Sequence, residues 1–531
     1  MHIDQIPFSK TGIFNKLMLD YISAKESIQP FYNRPANITS IESQIKDRQR
    51  FEMDRKILVN ALNEQYTNLS EFNHQEEVKA QIDTLNNRNT FTVTTGHQLC
   101  LFSGPLYFIY KIANAINMAE MINKEHPEFH VVPVFWMASE DHDFEEINHV
   151  HFHGHKISWN TEESGAVGRM EVKNCLKALE NLGFHFPNGE RSKFLTSLFD
   201  TAYQHENLAD ATRYIVNELF GSKRLIIIDG DDHALKNQVA PYFKQELLKQ
   251  TGQESVDESS NELRKLGYKT QVNARDINLF YLLDNYRDRI TKTEDGFATS
   301  DGAYQFSEEE ILSELENFPE RFSPNVILRP LYQEVILPNL CYIGGGGELA
   351  YWLQLKSMFE SFKVPFPILR LRNSLGVIPK NISRKIEKLD LEPVDLFTPY
   401  NELTTMLIKR NTAIDSNFKI QREAWNRTLN GWHNFVEELD STLTSSVEAE
   451  RARILNGLMR LEKKVVRNAK RHEGDKLRML QEIKNELFPG NGLQERKDNF
   501  CKLYLMLGDD FVAQVLESID PFANEFTLIS E

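Results

Sequence analysis

The sequence predicts an α/β protein: a parallel-sheet core interrupted by two inserted segments, followed by an α-helical antiparallel coiled-coil arm. Three observations carry this. Between residues 91 and 378, short β-branched or apolar runs ending in turn residues alternate with helical periodicities. More polar text at 150–222 and 252–320 breaks that alternation. Beyond Ile378 the apolar residues change to a seven-residue rhythm.

The chain has 531 residues, too many for one ordinary core. A 41% hydrophobic and 26% charged composition is that of a soluble globular protein. The net charge of −16 argues against broad nucleic-acid binding. Cys100, Cys175, Cys341 and Cys501 are scattered without zinc-type spacing, so neither disulfides nor structural zinc are expected. The start lacks a signal-sequence pattern and no run of about 18 apolar residues occurs, so the expected compartment is the cytoplasm, with no membrane span.

Residues 1–90 read as a helical layer over the sheet, with Phe14, Leu17, Met18 and Tyr21 on one helix face and further helices at 51–66 and 75–85. The organising stretch is 91–143. Residues 91–95 form a buried strand that stops at Gly96-His97-Gln98. Ser103 is placed to cap a helix, with Gly104 beside it and Pro105 in the first turn. Ile109, Ile112, Ala113, Ile116 and Ala119 continue at helical spacing, and 131–136 is a second strand ending before Ser139-Glu140-Asp141-His142-Asp143. Strand, helix and strand in this order make a right-handed βαβ unit with parallel strands. Both polar runs then leave the same carboxyl edge of the sheet, where open α/β folds bind ligands.

Next come alternate histidines, His149, His151, His153 and His155, on an edge hairpin. They admit a metal site or a plain polar face. Helices are expected near 193–203 and 210–220. A third buried strand at 224–228 ends in Asp229-Gly230-Asp231-Asp232-His233, which reads either as part of the same site or as a helix N-cap. The second insertion carries short strands at 271–273 and 279–283, and the text returns to the core at Phe322–Pro330. Gly344, Gly345, Gly346 and Gly347 precede an apolar helix and would let backbone N–H groups approach a ligand; Glu348 could accept a hydrogen bond from an amine or ribose. The last core strand, 366–373, places Arg370 and Arg372 on one face.

In the arm, 379–488, Trp425, Leu429, Trp432, Val436, Leu439 and Leu443 form a heptad seam that Leu458, Leu461 and Val465 resume after a turn at 444–446. Arg451 to Arg478 holds ten Lys/Arg against three Asp/Glu, a solvated flank or an RNA contact. Residues 489–531 contribute one closing helix, 500–516, packing back on the core.

Several runs together are distinctive: Thr94-Thr95-Gly96-His97-Gln98, Phe102-Ser103-Gly104-Pro105-Leu106-Tyr107, Pro133-Val134-Phe135-Trp136, Ser139 to Phe144, Glu146-Ile147-Asn148-His149, Leu328-Arg329-Pro330, Leu337-Pro338 and Gly347-Glu348-Leu349-Ala350-Tyr351-Trp352. With them the chain resembles, over nearly its whole length, the cysteine ligase family of bacillithiol biosynthesis, BshC. The resemblance implies a Rossmann-type, class I nucleotidyltransferase-like core with two connecting insertions, and a coiled coil through which the chain forms a homodimer. It implies the final step of that pathway, joining the carboxyl of L-cysteine to the amine of glucosaminyl-malate, with ATP as activator and Mg²⁺ beside it.

Such a site must bind phosphates, stabilise charge on the reacting carbonyl and take a proton from an ammonium. The catalytic candidates are His97, Asp141 and His142, the last as base. Phosphates are assigned to His97 and the Ser103–Gly104 turn, with Gly96, Gln98, Asp229, Asp232 and Gly344, Gly345 and Gly347 around the ligands. Arg329, Arg370 or Arg372 could hold the malate carboxylates. Glu140, Asp141 and Asp143 could bind an amine or Mg²⁺, and Glu348 an amine or ribose. Two rival readings follow from the same residues: a divalent-metal hydrolase built on Glu140-Asp141-His142-Asp143, and a dimeric RNA-binding scaffold using the basic arm.

Overall fold

β-branched runs buried on both faces build the central sheet of the computed structural model, which describes residues 2–67, 69, 72–412 and 414–530. Its strands are β1 (Thr90–His97), β2 (His130–Met137), β3 (Ile226–Asp229), β4 (Asn339–Gly344) and β5 (Ile368–Leu371). They lie in the order β5-β4-β1-β2-β3, all parallel. β1 tolerates its buried threonines because their hydroxyls are paired: Thr92 and Thr94 reach Asn339 Oδ1 at 3.3 and 2.9 Å, and Thr95 donates to the Ile343 carbonyl at 2.9 Å. His97 is in register with Met137, and Met137 with Asp229, so the strand ends stand side by side as the βαβ reading requires.

The crossover helix is Tyr107–Glu125, beginning three residues later than a Ser103 cap suggested. Phe102, Ser103 and Gly104 instead take positive φ of 50°, 66° and 66°. Tertiary bonds hold them there: Asn499 Nδ2 donates to the Phe102 and Gly104 carbonyls at 2.8 and 2.6 Å, and the Tyr203 hydroxyl accepts from Phe102 N at 2.9 Å. These contacts override the local capping signal. A Cβ on Gly104 would lie 2.6 Å from Cys100 Cβ, in addition to the positive φ. Gly104→Ala is therefore expected to cost about 2–4 kcal/mol, read as a fall in the thermal midpoint.

The N-terminal region is not wholly helical. His2–Pro7 is a strand in a three-stranded sheet with Glu525–Ser530 and Ser374–Ile378. Helices Ile41–Gln49, Arg55–Thr67 and Gln75–Thr84 follow, and Ile41 and Ile45 pack with Phe91, Val93 and Ile343. The first insertion carries the hairpin His149–Phe152 with His155–Ser158 and helices Cys175–Gly183, Glu190–Ala202 and Leu208–Phe220. The second opens with a helix, Thr251–Lys265, that the polar text concealed. Residues 271–273 form no strand, because Gln271 N and Val272 N donate to Gln354 Oε1 rather than to a neighbouring strand. A five-stranded sheet follows, and Phe322–Pro324 is its edge, antiparallel to Leu279–Leu283. The chain thus rejoins the core later than expected, at the Leu328–Ile336 helix and β4.

The chain divides into two units, Pro7–Leu375 with Glu495–Thr527, and Gly376–Gln494 with both termini. In the latter, Ile414–Leu439 and Thr444–His472 form the expected helical hairpin. The turn falls earlier than 444–446: Asp440 Oδ1 accepts from Thr442 N at 2.9 Å and caps Ser441–Leu443. The hairpin covers Leu429 but leaves Trp432 and Leu439 65% and 69% exposed, so one chain does not bury its own seam. In the closing segment two helices, Phe500–Leu507 and Phe511–Glu517, replace the single one expected, broken at Gly508 with φ 73°. Among the described residues no helix is long and apolar enough to cross a membrane.

Candidate active site

The carboxyl edge of the sheet gathers two polar clusters joined by Gln98. The first is cationic. Lys111 is buried on the crossover helix, and its Nζ donates to the Gly96 carbonyl at 2.6 Å and to Glu348 Oε1 at 2.8 Å. Glu348 Oε2 in turn accepts from Gly345 N at 2.6 Å. Burial alone would raise the Glu348 carboxyl, but Lys111 outweighs it and holds the group below its ordinary range. Glu348 and the Gly345 N–H are thus committed to the protein, not open to an amine or phosphate. Gly344 accepts from Arg372 N at 2.9 Å, and Gly346 and Gly347 lie within the first helical turn.

Two guanidinium groups complete this cluster. Arg329 Nη1 donates to Gln333 Oε1 at 3.0 Å, and its Nη2 is buried with no acceptor. Arg372 pairs with buried Glu495 through Nη1 and Nη2 at 3.0 and 2.6 Å, stacks over Tyr107, and leaves a buried Nε without an acceptor. The Ser103 hydroxyl is likewise buried and unpartnered. Lys111, Arg329 and Arg372 thus face two carboxylates, Glu348 and Glu495, a surplus of positive charge with donors to spare. Such a cluster can accept an anion.

His97 sits beside it, its ring against Tyr107 and Phe108. Nδ1 lies 2.8 Å from the Gln98 carbonyl, which can only accept, so the proton is on Nδ1 and Nε2 carries the lone pair. Burial pushes the imidazole down to about 4, with Lys111 and Arg372 acting in the same sense. A neutral His97 cannot clamp phosphate as a cation; it can accept a proton. Because the unfolded ring titrates near its ordinary value of 6.5, the native state should lose on the order of 3 kcal/mol as pH falls from that value towards 4. Thermal unfolding over that range should show this slope, and His97→Gln should flatten it.

The second cluster is acidic but internally balanced. Gln98 Nε2 donates to Asp141 Oδ2 at 2.7 Å and to Glu146 Oε2 at 2.9 Å, tying the His-Gln turn to the acidic run. Burial would raise the Asp141 carboxyl, yet hydrogen bonds from His142 and Gln98 hold it well below the usual carboxylate range. His142 is exposed, and Arg287 Nη1, reaching from the second insertion, donates to its Nδ1 at 2.6 Å. Glu140 pairs with buried Lys236 at 2.5 Å, which also meets Asp231 at 3.2 Å; Asp231 is held by Arg169 at 2.6 Å. Asp143 is exposed. Asp229 accepts from Ser139 Oγ and Asp231 N. Asp232 takes the capping role, accepting from Leu235 N at 3.0 Å and from Gln65 at 3.2 Å. Arg370 is structural: it holds the Ala523 carbonyl and Asn524.

Among the described residues no group of three or more His, Cys, Asp and Glu is arranged to hold a metal ion, and the acidic residues expected to do so are met by Lys236, Arg169, Gln98 and backbone N–H groups. Neither the hydrolase reading nor the histidine hairpin gains a ligand set from this geometry.

Family models decide the kinship. Residues 1–373 match the Bacillithiol biosynthesis BshC N-terminal Rossmann-like domain, and 376–531 its C-terminal coiled-coil domain. This chain belongs to the BshC family. A relative from Flavobacterium johnsoniae is 41% identical over 100% of both chains, one from Flavobacterium psychrophilum 42% identical over 100% of this chain and 99% of its own, and one from Bacillus cereus 29% identical over 98% of each. Each bears the name "Putative cysteine ligase BshC". The BshC fold thus supplies the Rossmann-like parallel sheet and helical coiled-coil unit described above. Within it, the residues that sequence reading passed over are Lys111, Tyr107, Arg287, Lys236, Glu495 and Asn499. Lys111 left a signal: it is the one charged residue in the Phe108 to Met118 stretch of the crossover helix.

Proposed function

We propose that this chain is an amide-forming cysteine ligase that completes bacillithiol, joining the carboxyl of L-cysteine to the amine of glucosaminyl-malate. The carrying observation is the buried cationic cluster with unpaired Arg329 and Arg372 donors beside a neutral His97. Family membership supports the pathway; the pocket supports the step. Two malate carboxylates suit two guanidinium groups that both lie close to Glu348. ATP, when bound, would supply the leaving group that a free carboxylate lacks. Mg²⁺ would then arrive with the nucleotide, since Glu140 and Asp141 are already engaged.

The chain's own groups do the rest. Lys111 and Arg372 stabilise charge on the reacting carboxyl region, and bound anions offset their effect on His97. That raises the basicity of Nε2 when substrate is present, so the ring can take the proton from the incoming ammonium. Incubating pure protein with cysteine and glucosaminyl-malate, with and without ATP, and following bacillithiol by mass spectrometry tests this. Product that needs ATP supports it; product at equal rate without ATP removes ATP, and no product with all three overturns the step.

The arm supports a homodimer. Trp425, Trp432, Phe435, Leu439 and Leu443 are 41–69% exposed on one hairpin, more apolar surface than a free helix pair keeps. Trp432→Glu with Leu439→Glu is expected to convert a dimer to a monomer in light scattering without changing the helical signal.

A further inference from the structure

A second basic cavity opens at the opposite, amino-terminal edge of the sheet, where β1 and β4 begin. It is an open depression of about 1490 Å³, lined by Arg48, Phe51, Arg55, Lys56, Arg88 and Asn89, among others. Arg48, Arg55, Lys56 and Arg88 line it with Glu52 and Asp54; the buried Glu334 carboxyl also acts on Arg48, and Asp54 Oδ1 accepts from Lys56 N at 3.0 Å to start the Arg55–Thr67 helix.

Arg48 is the telling residue. It is 98% buried, stacked on Phe51, with Nη2 donating to the Glu334 and Leu337 carbonyls. Its Nε and Nη1 have no acceptor. A buried guanidinium with two unmet donors is costly unless an anion meets them. Arg55 has a structural task, donating to the Leu85 and Thr90 carbonyls at 3.0 and 2.8 Å, and so fixes the 85–90 loop that carries Arg88. Lys56 and Arg88 are exposed on the cavity rim.

We propose that this cavity binds a phosphate-bearing small metabolite. Arg48, Lys56 and Arg88 supply the cations that meet the phosphate. Asn60, Asn86 and Asn89 offer amides to a polar remainder. The site is separate from the pocket at the carboxyl edge and does not rest on the ligase assignment.

Calorimetric titration of the full chain with pyrophosphate, AMP and citrate tests it. Pyrophosphate or AMP should bind, and Lys56→Glu with Arg88→Glu should weaken that binding by about tenfold or more, the loss of charge-assisted contacts. The thermal midpoint should not move. His97→Gln, which alters the other edge, should leave this binding in place. Tighter AMP than pyrophosphate assigns a nucleotide; the reverse assigns a non-nucleotide phosphate. Undiminished binding in the double variant, no binding to the wild type at millimolar ligand, or citrate bound as well as pyrophosphate would each overturn the proposal.

Discussion

Replacing Lys111 with methionine is expected to abolish ligase activity and to destabilise the fold by about 3–5 kcal/mol, the range for breaking a buried ion pair. The substitution strands Glu348 and the Gly96 carbonyl without their donor. It also strips the pocket of one of three cations. The two effects separate in a second variant. Lys111→Met with Glu348→Met removes both charges, so the thermal midpoint should recover in part while turnover stays lost. If turnover recovers with stability, Lys111 is only a structural tie.

Arg329→Met is expected to behave in the opposite way. It gives up the Nη1 bond to Gln333 Oε1 and its packing on Tyr342, and its Nη2 has no acceptor, so losing it should cost less stability than losing Lys111. Losing the free Nη2 donor should lower kcat/KM for glucosaminyl-malate by about 10- to 100-fold, roughly one charge-assisted hydrogen bond, chiefly through KM. Cysteine kinetics should move much less. An unchanged KM for glucosaminyl-malate would remove Arg329 from the malate site.

The sequence showed the parallel core clearly, because β1 and β2 are short β-branched runs with a helical period between them. That alone brought Gly96-His97-Gln98 and Glu140–Asp143 to one edge, and the Gln98–Asp141 hydrogen bond confirms it. What stayed hidden depends on distant contacts. Ser103 looked like a cap, but Asn499 and Tyr203 bend its loop into positive φ. Asp229 and Asp232 looked reactive, but Ser139, Leu235 and Gln65 engage them. Arg370 and Arg372 were equivalent in the sequence; only tertiary packing sends one to Asn524 and leaves the other facing Tyr107. Spacing cannot reveal which carboxylate meets which cation, and that pairing decides which groups are left to meet a substrate.

The most direct measurement is a crystal structure of the full chain grown with glucosaminyl-malate. The expected result is the malate carboxylates within hydrogen-bond distance of Arg329 Nη2 and Arg372 Nε, at the carboxyl ends of β1 and β4, with the sugar amine turned towards His97. Ligand density at any other place, with that edge holding only solvent, would contradict it.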